Sequence, residues 1–149
     1  MRYYAAAFAA LTLLPASSLL ALTDRDLDPQ ALTMLQGKAE HASLRDQCYL
    51  YAELVHTMTE IASRQLAAGE AIDAARTLAT VERYAGLLDS GLANDTKKVK
   101  DAEILMRQTE VRLKGAMNAA ALEDRPVVQH TIQQLDGVES KLMAQVFAH

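Results

Sequence analysis

Over most of this 149-residue chain apolar residues return at every third or fourth position, the period of an α-helix that buries one face. Four such stretches are separated by helix-start and helix-stop residues. The first opens at Asp28-Pro29, an N-cap followed by proline at the first helical position, and runs to Gly69. Its stripe is Leu44, Cys48, Tyr51, Val55, Met58, Ala62 and Leu66, widened by Leu50, Leu54 and Ile61. Gly37 weakens it, and a kink or break is expected between Gly37 and Ser43. The second stretch carries Ala71, Ala74, Ala75, Leu78, Val81, Ala85 and Leu88 and stops at Ser90-Gly91. The third, capped by Asn94-Asp95-Thr96, carries Val99, Ala102, Met106, Thr109, Leu113, Ala116 and Ala120, the alternating steps of a coiled-coil seam. Glu103 with Arg107 and Glu110 with Lys114 form i,i+4 pairs assigned to its outer face. The fourth restarts at Asp124-Arg125-Pro126 and carries Val128, Ile132, Leu135, Val138, Leu142 and Val146.

No stretch alternates apolar and polar residues as a half-buried strand does, so the fold class is all-α. Short connections make successive helices antiparallel neighbours, and the expected architecture is an up-down-up-down four-helix bundle with a single domain over residues 29–149. At about 1.5 Å per residue the first helix is nearly twice as long as the second. Its N-terminal half must fold back or project, which leaves Leu32, Leu35, Ala39 and Ala42 as a candidate interaction surface. The Gln65-Leu66-Ala67-Ala68-Gly69-Glu70 turn is similar to that of a tetratricopeptide hairpin. No echo follows about 34 residues later, so it reads as one hairpin rather than a repeat array.

The first residues change the picture of where the chain works. Arg2, the uncharged run Ala5 to Leu14, Pro15 and the small residues Ala16, Ser17 and Ser18 form an export signal, with cleavage expected near Ala21. Residues 1–21 are then a signal peptide and 22–28 a flexible acidic N-terminus. No basic cluster follows to stop transfer, so no stable membrane span is expected after cleavage. The expected location is the periplasm or the extracellular space. Removal of Arg2 moves the formal net charge from −4 to −5, an acidic balance that offers nucleic acid no footprint. The one cysteine, Cys48, has no intrachain partner in an oxidising compartment, and its place inside the chain excludes an N-terminal lipid anchor.

Candidate chemistry thins out on inspection. Glu53 and His56 have the Glu-x-x-His spacing of a di-iron helix, but no second such motif exists and both fall on the polar face with Tyr49, Glu60 and Arg64. His41, His56, His130 and His149 pair at no helical spacing, so zinc has no framework. Asp24, Asp26 and Asp28 begin like a calcium loop, but Pro29 and Leu35 stand where glycine and glutamate are required. Met58, Met106, Met117 and Met143 leave noncovalent haem open as an alternative. No nucleophile elbow, phosphate loop or dinucleotide fingerprint is present, and Cys48 lies on the inner stripe. The reading is no catalytic residue, no metal and no cofactor. Lys97, Lys98 and Lys100 gather at a helix N-terminus, where the dipole disfavours cations, and form a second candidate surface for an anionic partner.

Leu32-Thr33-Met34-Leu35-Gln36 resembles the Leu-Thr-x-x-Gln signature of Spy-like and CpxP-like periplasmic chaperones, exported all-helical proteins poor in cysteine. The stretch Cys48 to His56, the Ala67-Ala68-Gly69 turn and the ending Gln145 to His149 resemble uncharacterised exported all-helical bacterial proteins, a likeness that implies no activity. The expected function is therefore binding without catalysis, through an unknown protein partner or a second copy of the chain, in a chaperone-like or scaffold role. The alternative is a small-ligand, haem or metal carrier.

Overall fold

A computed structural model describes residues 28–94 and 96–148. The expected signal peptide, residues 1–21, and residues 22–27 of the acidic N-terminus lie outside the described residues, as do Asp95 and His149. The described residues form five helices and no strand: α1 (Pro29–His41), α2 (Leu44–Ala67), α3 (Ala71–Gly91), α4 (Val99–Met117) and α5 (Arg125–Phe147). The all-α expectation holds, and the count of four becomes five because the first helix is two.

The break falls at Ala42 and Ser43, both extended, at the far end of the expected span from Gly37 to Ser43; Gly37 itself lies inside α1. Ser43 is the N-cap of α2, although its side chain bonds no backbone N–H. Its hydroxyl donates to Asp46 Oδ2 at 2.6 Å, and its carbonyl accepts from the N–H groups of Asp46 at 2.9 Å and Gln47 at 3.0 Å, the first bonds of a fresh helix. Gln47 Nε2 reaches back to the Ala39 carbonyl at 3.2 Å and ties the corner. The other punctuation works largely as read. Asp28 accepts from the Gln30 N–H at 3.1 Å, Gly69 takes a left-handed φ of 77° at the α2–α3 turn, and α5 starts after Asp124. Asn94-Asp95-Thr96 does not cap α4; the N-cap is Lys98, itself left-handed at φ 56°.

Side-chain pairs fix how the helices run. Gln65 with Thr77 and Tyr51 stacked on Tyr84 set α2 antiparallel to α3. Arg107 with Glu139 and Ala120 with Arg125 do the same for α4 and α5. His56 with Thr109 and Glu60 with Arg112 set α2 parallel to α4. Glu82 with Thr131 and Asp89 with Lys141 set α3 parallel to α5. Two antiparallel hairpins thus stack side by side, their cross-hairpin hydrogen bonds joining residues 48 to 53 positions apart. Among the described residues α3 and α4 make no close approach. The expected ring of sequence neighbours is replaced by the order α2, α3, α5, α4, with α1 packed on α2 alone.

One core runs through the stack. Leu54, Leu78, Leu88, Met106, Leu113, Leu135 and Leu142 are all buried, and each hydrophobic stripe is largely recovered. The departures are instructive. Leu44 is 61% exposed, because it sits in the first turn of α2, beyond the reach of a neighbour. Ala75 is exposed, while Thr77 and Tyr84 are buried and meet α2, Thr77 at Gln65 and Tyr84 at Tyr51. Glu103 and Glu110, assigned to the outer face of α4, are buried against α5, although their pairs with Arg107 and Lys114 form as expected.

The buried Thr59 hydroxyl finds no hydrogen-bond partner, a state that costs about 1–3 kcal/mol. Thr59→Val keeps the shape and removes the orphan. Urea unfolding should show the variant more stable by about 1 kcal/mol.

Candidate functional site

Two grooves open where α1 lies along α2. The helices run antiparallel, so the α1 N-terminus meets the last turns of α2. Pro29 and Leu32 of α1 face Ile61, Arg64, Gln65 and Ala68 of α2, with Glu70 closing the end, around an open groove of about 390 Å³. Its floor is mostly hydrocarbon, since Leu32 and Ile61 are half-buried against the core. Met34, 70% exposed, extends the apolar surface of α1. Of the predicted surface residues, Leu32 lines this groove, and Leu35 is half-buried beside it on α1. Ala39 is fully buried and belongs to the α1–α2 contact; Ala42 is half-buried at the break.

The second groove is polar, about 260 Å³, and lies at the other end of α1, lined by Lys38, Asp46, Tyr49, Leu50, Glu53, Lys97 and Lys98. Two of the three lysines singled out from the sequence are already engaged there. Lys97 Nζ lies 3.4 Å from Asp46, and its backbone N–H donates to the Arg45 carbonyl at 2.9 Å. Lys98 Nζ sits 4.6 Å from the centre of the Tyr49 ring, a cation–π contact. Lys100 is exposed in the first turn of α4. The Ser43 hydroxyl, helped by Lys97, holds Asp46 below the usual carboxylate range against the opposing effect of burial. That contribution to the corner is present at neutral pH and lost as pH falls through the depressed value. Burial and the neighbouring Glu53 carboxylate push the Tyr49 phenol up.

Comparison with protein-family models, curated proteins and solved structures finds no match.

Part of the polar face of α2, His56 and Glu60, is covered by α4, while Arg64 is exposed. His56 Nδ1 lies 2.9 Å from Thr109 Oγ1, and the Thr109 hydroxyl is committed to the Leu105 carbonyl at 2.7 Å, so the imidazole is the donor. Glu60 pairs with Arg112 at 2.9 Å. Glu53 stays with Tyr49 at the groove. Among the described residues no group of three or more His, Cys, Asp or Glu is placed to hold a metal ion, and no helix is long and apolar enough to cross a membrane. Met58 and Met106 are core residues, Met117 is half-buried and Met143 is exposed. The groove at Pro29 escaped the sequence reading because its second wall was divided there: Ile61 was read as core, Arg64 as polar face, and Gln65 and Ala68 as turn.

Proposed function

We propose that this is an exported binding protein of the periplasm or cell envelope that acts on other proteins in a chaperone-like or scaffold role. In this reading α2 to α5 serve as a four-helix bundle, and α1 is the working element mounted on it. The observation that carries it is the open apolar groove between Pro29 and Ala68. Its occupant is an apolar segment of an unfolded or partly folded protein. A hydrocarbon floor gains from desolvating such a segment whatever its sequence. α1 rests on a single neighbour, so it can shift to admit side chains of different size without disturbing the stack. The groove also contains Leu32, the first residue of the Leu-Thr-x-x-Gln stretch that resembles periplasmic chaperones.

Ala68 provides the test, because it is exposed at the groove wall and a charge there leaves the core alone. Full-length protein should slow the aggregation of reduced insulin, and Ala68→Glu should abolish that effect while stability stays within about 0.5 kcal/mol. Sedimentation of the protein alone distinguishes a second copy in the groove, which would make the same variant monomeric. Aggregation unaffected by the wild-type protein, or equally slowed by both, would overturn this reading.

A further inference from the structure

Three glutamates are buried side by side where α4 meets α5: Glu103 is 4% exposed, Glu110 6% and Glu139 8%. Buried carboxylates need cations or several donors close by. Two cations serve them, Arg107, paired with Glu103 and 3.7 Å from Glu139, and Lys114, paired with Glu110. Both belong to α4, both are more than half exposed, and both reach the seam from its solvent edge. The α5 side brings only acid, Glu139 and, further from the seam, Asp136, whose charge acts on Lys114. The acids that α3 turns toward α5, Glu82 and Asp89, are bonded on its other flank, Glu82 to His130 and Thr131 and Asp89 to Lys141. Three acids therefore share two cations. Glu139 is left to share the single Arg107 guanidinium with Glu103, to which that cation is the more closely paired. Two carboxylates held around one cation in a buried seam repel each other when both are ionised.

We infer that Glu139, buried beside Glu103 with one cation between them, is a clasp that makes the packing of α5 on α4 depend on pH, closed while Glu139 holds a proton and opposed by the like charge of Glu103 once Glu139 ionises. Its electrostatics agree with the geometry. Burial, together with the neighbouring carboxylates of Glu103 and Glu110, pushes the Glu139 carboxyl above its ordinary 4.5, and Arg107 only partly offsets this. A carboxyl raised on folding binds a proton that the unfolded chain releases. Its stabilisation is complete below the unfolded value and lost as pH rises through the folded one.

The experiment combines carbon-13 NMR titration of the glutamate carboxyls of the full chain with urea unfolding between pH 4 and 8. The same unfolding series is run on Glu139→Gln, whose amide carries no charge to oppose Glu103. Glu139 should titrate above 4.5, and each unit of displacement should weaken the folding equilibrium of the wild type about tenfold across that window relative to the variant. The variant should be the more stable of the two at pH 8. Parallel pH profiles, or a Glu139 carboxyl that titrates at or below 4.5, would overturn the clasp. If Glu139→Gln does not fold, the wild-type titration decides alone.

Discussion

Truncating Leu54 to alanine is expected to destabilise the protein by about 2–5 kcal/mol, while the same truncation at Leu44 changes stability by less than about 0.5 kcal/mol. Both leucines belong to the apolar pattern of the same helix. Leu54 is fully buried, and its loss removes transfer free energy and leaves a cavity that packed helices cannot close. Leu44 stands 61% exposed in the first turn, so alanine there surrenders little contact. Urea midpoints of the two variants measure the difference directly. Comparable losses would mean that α1 or another element covers Leu44 in solution.

Cys48 carries the second large effect. It is 1% exposed, and burial raises its thiol from an ordinary 9.0 to about 11. The thiolate is the reactive species, so this shift alone lowers its concentration at neutral pH about 100-fold. Steric exclusion by the packed helices multiplies that. A small thiol reagent should therefore modify the native protein more than about 100-fold slower than the urea-unfolded chain. Fast labelling of the native state would place Cys48 at the surface and contradict the packing of α2.

Why was Cys48 legible in the sequence while Glu103 was not? Periodicity locates the centre of a helix's buried arc, and Cys48, Val55, Ala62 and Leu66 define that centre on α2 without ambiguity. It says little about the width of the arc, which depends on how many neighbours the helix has. α2 touches three helices, α1, α3 and α4. The flank that carries His56 and Glu60 is therefore an interface, although its residues are polar. Glu103 and Glu110 mislead for a related reason. Each has a cation four residues on, the pattern of a solvated helix face, and only the arrival of α5 turns the acids inward while Arg107 and Lys114 remain outside. The groove was half legible. Leu32 and Leu35 stood out as apolar residues lacking an assured partner, but the opposing wall required knowing that the chain reverses at Ser43. The expected break between Gly37 and Ser43 falls at the end of that span, where Ser43 is the N-cap of α2 and Gly37 stays helical.

The parallel stacking of the two hairpins bears on how the chain reaches this structure. Within each hairpin, contacts join residues close in sequence, as Gln65 and Thr77 do across the Gly69 turn, and such contacts cost little loop entropy. The seams between hairpins join residues about fifty positions apart, so they close only after a much longer search. Contacts within each hairpin are therefore expected to form before the side-by-side docking that joins the two. Because α3 and α4 do not pack on each other, residues 92–98 act as a tether in that step. The tether sets how often the hairpins meet, and the parallel seams decide in which register they stay.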